Sequence, residues 1–370
     1  MTLNIDKGVP TMVDILLITI LLLVFILPFI FRKIEHNLEL FLLVMGILAT
    51  VVSKTLSFHL LGHVFSNYLL YLVTAVVLVM GFVFNLTVSK LKTAINSILS
   101  KIKIELFVAL VILLLGFVSS IITAIVATLI LVEIIHLLPL KHKTKVKVAI
   151  IGCFTIGFGA ALTPVGEPLS TIVVSSLNAE FLYILKNLGM YIVPTIIILS
   201  LLSYFILLHE RKRGYILPTY EQLLTEEEAI VKAEERAILD LEARKDVILR
   251  AGKIFMFIVA LELLGNGFKP FIDKYIVKLG DKLLFWINII SAALDNATVA
   301  AAEITPSLST GQVKAILLSL LASGGILIQG NIPNIIAANK LEIKSKEWVQ
   351  LGLPLGLILL LAFYLILFVV

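Results

Sequence analysis

Residues 13–31 and 68–86 each form a predominantly apolar run of about the 20 residues that a helix needs to cross a bilayer. In lipid no water is available to backbone N–H and C=O groups, so a chain with several such runs folds as a bundle of membrane helices. The chain is 60% hydrophobic and 15% charged, against roughly 45–50% and about 25% in soluble domains. The expected fold class is therefore an all-α polytopic membrane protein.

The run at 13–31 exceeds a signal-peptide core and no small-residue cleavage site follows it, so it reads as a retained helix. The net charge of +5 does not point to nucleic acid, because the basic residues cluster in the loops. The single cysteine, Cys153, excludes an intrachain disulfide and reads as a packing residue.

Plain spans are expected at 13–31, 38–56 and 68–86. Lysines spaced among apolar residues over 88–104 suit a helix lying at the interface. Residues 105–140 are too long for one crossing and carry "GFVSSIIT" at the centre, which predicts a helical hairpin. After the basic loop "KHKTKVK" (141–147), the apolar run 148–176 is broken by "TPVGEP" (163–168). A further span covers 181–208. Residues 209–250 are polar, with Glu228/Lys232 and Asp240/Arg244 four apart, and read as a solvated helical connector. The order then recurs: a span at 251–264, a hairpin over 268–305 with "SAALDNAT", a broken span over 313–341 with "GNIPNIIAAN", and a last span at 348–370.

Four units follow: 1–67 as N-terminal scaffold helices, 68–208 as a first repeat, 209–250 as the connector, and 251–370 as a second repeat. Lys and Arg concentrate at 32–36, 88–103, 141–147, 209–250 and 340–347. These loops lie on one side if 105–140 returns to the side it entered from. That side is cytoplasmic by the positive-inside rule, which puts both termini outside a cell membrane. Each half then crosses an odd number of times, which is the inverted-repeat plan of secondary transporters.

Aligning Ser119 with Ser291 sets Thr123 opposite Asp295 and Ala124 opposite Asn296. Aligning Gly166 with Gly330 sets Glu167 opposite Asn331 and Ser170 opposite Asn334. Pro164, Pro168 and Pro333 stop a helix, and glycine permits the sharp geometry of a break. Broken backbone at membrane depth persists only where protein buries it or a wet cavity receives it. Freed carbonyls beside hydroxyl, amide and carboxylate groups suit a cation; N–H groups at positive helix ends suit an anion. Asp295 and Glu167 favour the cation, because an intramembrane carboxylate marks an ion or proton path. Glu133, Glu262 and Glu303 also lie in or near spans and read equally as helix-end or packing residues. The Glu133-x-x-His136 pair lacks the second helix that a di-iron site needs.

"SAALDNAT", "GAALTPVGEPLST" and "GNIPNIIAAN" resemble elements of the ion transporter superfamily. That superfamily includes NhaD-type sodium/proton antiporters, arsenite/antimonite transporters, and sodium-coupled dicarboxylate and citrate carriers. The first two stretches resemble the S-x-x-x-D-N and G-x-x-x-x-P-I-G-D-x-x-T-T elements of the NhaD type. The resemblance spans residues 105–176 and 285–341. It implies two re-entrant hairpins, two interrupted helices and a homodimer. It also implies ion binding by Ser291, Asp295 and Asn296, with Glu167, Ser170 and Thr171 from the first break and Asn331 and Asn334 from the second; Ser119 and Thr123 are their counterparts in the first hairpin. Thr123-Ala124 replaces the family's first Asp-Asn pair, and Glu167 replaces its Asp, which leaves ion stoichiometry open.

The expected function is a secondary antiporter exchanging Na⁺ or Li⁺ for H⁺, with Asp295 and Glu167 holding the ion and no cofactor beyond the transported ions. The alternative is Na⁺-coupled transport of an anion, a carboxylate or an oxyanion such as arsenite or sulfate. An intramembrane enzyme is disfavoured, since no H-E-x-x-H motif is present.

Overall fold

The computed structural model describes residues 11–31, 33–34, 37–67, 70–71, 74–75, 78–79, 82, 97–212, 226–276, 280–304 and 308–369. The expected span at 68–86 and interfacial helix at 88–104 fall largely outside them. Among the described residues every regular element is a helix, and there are no β-strands.

The first part comprises α1 (Met12–Ile30), α2 (Leu38–Val52) and α3 (Phe58–Ser66). Thr11 and Asp14 form a reciprocal capping box that starts α1 and satisfies two orphan N–H groups. The short α3, capped by the Ser57 side chain, lies where the sequence suggested a loop. Nine residues are too few for a crossing.

Next come α4 (Ile104–Ile122), α5 (Ala124–Leu137), α6 (His142–Ala160), α7 (Pro168–Ser176) and α8 (Tyr183–Lys212). Within the stretch 105–140, where a hairpin is expected, α4 and α5 meet at a break at Thr123. The basic stretch 141–147 is no loop: it forms the opening turns of α6. The long α9 (Glu226–Phe271) joins the connector to the following span in one 46-residue helix, so position 250 is not a helix boundary.

The second part contains a π-turn at Ile272–Ile276, then α10 (Asp281–Ile287), a 3₁₀ turn at Asn288–Ile290, α11 (Ser291–Leu294) and α12 (Asn296–Glu303). This hairpin begins near Asp281, later than the expected 268, because α9 runs on to Phe271. The chain finishes with α13 (Thr310–Gly324), α14 (Ile332–Lys340) and α15 (Ser345–Phe368). Among the described residues, four helical stretches are long and apolar enough to cross a membrane: Ile104–Ile122, Tyr183–Lys212, Ala251–Phe271 and Ser345–Phe368.

Glycine sets the closest crossings. A Cβ on Gly46 of α2 would stand 2.9 Å from Ala260 O of α9, and one on Gly267 of α9 would stand 2.7 Å from Ala49 Cβ. Small residues at both ends of this contact let two backbones touch, which supplies the packing that lipid cannot drive. By contrast, a Cβ at Gly252 meets nothing within 4 Å.

Ion pairs tie helix ends together. Arg211 Nη1 reaches Glu105 Oε1 at 3.1 Å, Lys147 Nζ reaches Glu210 Oε1 at 2.7 Å, and His142 Nε2 meets Glu347 Oε1 at 3.1 Å. These pairs gather the start of α4, the start of α6, the end of α8 and the start of α15 at one end of the bundle. Lys253 pairs with Glu39 at 3.1 Å, Lys274 with Asp14 at 2.7 Å, and Lys186 with Glu180. Glu133, which the sequence left as a helix-end residue, meets Lys340 Nζ of α14 at 2.6 Å. Both groups are largely buried. Removing one partner of a buried pair leaves an uncompensated charge at a cost of about 3–5 kcal/mol. Glu133→Ala is therefore expected to lower the thermal midpoint of the purified protein strongly, and Glu133→Leu with Lys340→Met to recover most of the loss.

Candidate ion site at the helix breaks

The two hairpins turn on the same backbone conformation. Thr123 has φ 78° and ψ 150°, and Asp295 has φ 69° and ψ 135°. This region favours glycine, and a residue with a Cβ held there costs on the order of 1–3 kcal/mol. The strain falls at the two positions that the sequence alignment sets opposite one another. Thr123→Gly is accordingly expected to raise the thermal midpoint, and Thr123→Val to lower it.

The two breaks match as well. A Cβ on Gly166 would lie 2.0 Å from Ala160 O, and one on Gly330 would lie 2.5 Å from Gly324 O. In each case the chain folds back onto the carbonyl six residues earlier. Ser170 Oγ donates to Ala161 O at 3.0 Å, and Asn334 Nδ2 donates to Gly324 O at 2.8 Å and Leu327 O at 2.9 Å. These donors satisfy carbonyls that the broken helices leave unpaired.

Each hairpin is bound to its break by equivalent contacts. In the first half, Ser119 Oγ donates to Ile156 O at 3.1 Å, and Ala124 N donates to Gly166 O at 2.8 Å. Gly116 and Gly159 bring α4 and α6 into backbone contact, since a Cβ on Gly159 would land 1.6 Å from Gly116 O. In the second half, Ser291 Oγ and Ser323 Oγ are 2.6 Å apart, and Ser323 Oγ donates to Asn288 O at 2.9 Å. Asn288 and Ser323 are the counterparts of Gly116 and Gly159. Across the halves, α5 packs on α14 and α12 packs on α7. Under the alignment these two contacts exchange.

Where the breaks and tips meet, four polar side chains converge. Glu167, just before α7, faces Asp295 at the second hairpin tip and Asn331 at the second break. Glu167 is 5% exposed and Asp295 8%, so both carboxylates are withdrawn from solvent. Glu167 Oε1 has no hydrogen-bond partner. Asn331 holds the N-cap position of α14 but makes no side-chain cap bond, although asparagine is a favoured N-cap. Its amide is turned to Glu167 instead, with Nδ2 3.3 Å from the place a Gly157 Cβ would occupy. Asn296 is buried and its Nδ2 has no acceptor.

The residues expected from sequence thus divide into two groups. Glu167, Asp295 and Asn331 meet at the breaks, with Asn296 next to Asp295 in the chain. Ser119, Ser170 and Asn334 are bound to backbone carbonyls. Thr171 donates to Pro164 O at 2.6 Å, Thr123 accepts from Val126 N at 3.4 Å, and Ser291 is bound to Ser323. These six hold the breaks and tips in shape. Asn288, Ser319, Ser323 and Gly159 were not anticipated as part of this framework. Their signal was present in the alignment, which pairs Asn288 with Gly116, Ser319 with Thr155 and Ser323 with Gly159 only when both halves are read together. Cys153 is buried, with Sγ 3.6 Å from Pro333 O, and packs the first broken helix onto the second break.

Two buried carboxylates facing each other concentrate negative charge, which a cation or a proton relieves. Among the described residues, no group of three or more His, Cys, Asp or Glu side chains could hold a metal ion. Carboxylate, amide and carbonyl oxygens are hard ligands, the kind that suit hard cations.

The fold and this cluster define a helical protein with apolar, membrane-length helices and a polar centre built from broken helices. Residues 14–370 match the model of the family described as "Protein of unknown function (DUF1646)". The chain belongs to that family. A comparison with curated proteins finds no match.

Proposed function

We propose that this protein is a secondary active transporter of the cell membrane that exchanges Na⁺ or Li⁺ for H⁺ by alternating access. The observation that carries the reading is the meeting of Glu167, Asp295 and Asn331 at the breaks. A cation enters among their oxygens when the carboxylates are ionised and leaves when they take up protons. The competition of both ions for one set of oxygens gives exchange.

The matched strain at Thr123 and Asp295, the matched folds at Gly166 and Gly330, and the exchanging contacts of α5–α14 and α12–α7 support two inverted repeats. The pairs His142–Glu347 and Lys147–Glu210 join the stretches 141–147, 209–250 and 340–347, which the charge map puts on one side. The resemblance to the ion transporter superfamily extends the proposal to a homodimer whose core moves against a scaffold in lipid.

In proteoliposomes with an imposed pH gradient, added Na⁺ or Li⁺ is expected to dissipate the gradient. No cation-dependent proton movement at any pH would sink the proposal.

One observation favours a second reading, Na⁺-coupled transport of an anion. Asn296 Nδ2 is a buried donor without an acceptor, and an anion's oxygen would satisfy it. Binding of a dicarboxylate or oxyanion that appears only with Na⁺ present would establish this reading over the first.

A further inference from the structure

The second hairpin contains a buried acid outside the cluster at the breaks. Glu303 ends α12, about two turns or roughly 12 Å along the helix from Asp295. It is 2% exposed, and neither carboxylate oxygen has a hydrogen-bond partner. The polar side chain facing it is Asn288, itself fully buried, whose Nδ2 donates to Ser319 Oγ at 3.0 Å and whose Oδ1 has no partner.

The comparison of the halves makes this pocket distinctive. The alignment that sets Ser119 opposite Ser291 sets Leu131 opposite Glu303 and Gly116 opposite Asn288. The first half fills these positions with a buried leucine and a glycine in backbone contact with Gly159. The second half places an acid and an amide there. Packing alone is thus served by apolar residues in one half, and the polar pair of the other half calls for a separate reason.

The occupant follows from the neighbouring groups. An ionised carboxylate in a dry interior, with a single amide beside it, is too costly to persist. It must hold a cation or a proton. A dehydrated metal ion takes about six oxygens, and the oxygens without a partner here are the two of Glu303 and Asn288 Oδ1, while the hydroxyls nearby brace the helices. Ser319 Oγ donates to Ile316 O at 2.8 Å, Ser323 Oγ donates to Asn288 O at 2.9 Å, and Ser291 is bound to Ser323. On the elements packed against α12, Lys274 pairs with Asp14, Glu262 accepts from the Asn67 amide, Lys253 pairs with Glu39, and Lys314 lies over the Tyr191 ring.

We propose that Glu303 is a proton-binding site, distinct from the Glu167–Asp295 cluster, which holds a proton in this conformation and releases it when the second hairpin becomes hydrated. Its part in transport rests on the antiporter reading; its protonation does not.

The test uses the full chain in phosphatidylcholine vesicles. Infrared spectra at neutral pH are expected to show the carbonyl stretch of a protonated carboxylic acid that Glu303→Gln removes. Glu303→Asp, which retains an acid, is expected to shift the band and serves if the amide variant does not fold. A band unmoved by either substitution overturns the proposal. In the same vesicles, Glu303→Gln is expected to retain Na⁺ binding and lose Na⁺-driven proton movement; full proton movement in that variant overturns the transport role. Failure of the wild-type chain to bind Na⁺ removes the antiporter reading, while the infrared band still decides the protonation of Glu303.

Discussion

Asp295→Asn is expected to abolish Na⁺-driven proton movement, and Glu167→Gln to reduce it nearly as far. Both substitutions preserve size and remove a negative charge from a centre that has few other charges. Asp295 sits at a strained backbone position, with the Glu167 carboxylate close enough to repel its charge. Losing one carboxylate from a buried cation site removes about 3 kcal/mol or more of attraction, which is over 100-fold in affinity. Substitution of Asn331 is expected to be milder, because its amide is a neutral ligand and an orienting group. Asn331→Ala should weaken Na⁺ affinity while leaving maximal exchange detectable. The ordering of these three variants, measured as Na⁺ concentration for half-maximal exchange, separates a charge-based site from a merely structural cluster. Equal, small effects from all three would mean that the cluster braces the breaks and binds nothing.

Gly159→Val is expected to deplete folded protein more than any other single substitution at the breaks. The added Cβ would fall 1.6 Å from Gly116 O, a backbone atom with no flexible end to move aside. Overpacking a core ordinarily costs about 1–3 kcal/mol, and a clash with backbone lies at or beyond the top of that range. Separating α4 from α6 would also break the Ser119–Ile156 hydrogen bond and open the Thr155 contact with Gly116. The hairpin tip would then lose its hold on the break that presents Glu167. Gly252→Ala supplies the control. That position is open, and alanine favours a helix over glycine by up to about 1 kcal/mol. Thermal unfolding in detergent should show Gly252→Ala at or above the wild type and Gly159→Val far below it.

The breaks were legible in the sequence because proline and glycine have few other uses inside apolar runs. Gly166 and Gly330 occupy equivalent folds, and the alignment that pairs them also pairs Thr123 with Asp295. Other features were hidden for physical reasons. The continuity of α9 was missed because a change from polar to apolar residues marks where a helix enters lipid, and not where it ends. The segment 226–271 contains no proline before Pro270, so nothing stops the helix at position 250. The α3 helix was missed because nine residues carry too short a pattern. Ser170 and Asn334 were expected as ligands, yet they close the carbonyls of the breaks. A hydroxyl or amide at a break serves either purpose, and only the partner atom tells them apart. Glu303 stood open in the sequence for a similar reason, since its meaning depends on Asn288, which only folding brings beside it.

In the proposed exchange, Na⁺ and H⁺ compete for the carboxylates at the helix breaks. Simultaneous measurement of Na⁺ binding and proton release by the purified protein in weak buffer tests this competition. Na⁺ binding is expected to expel protons, to weaken as pH falls and the carboxylates fill with protons, and to disappear in Asp295→Asn. Na⁺ binding that is independent of pH and survives in Asp295→Asn, or no Na⁺ binding at any pH, would contradict it.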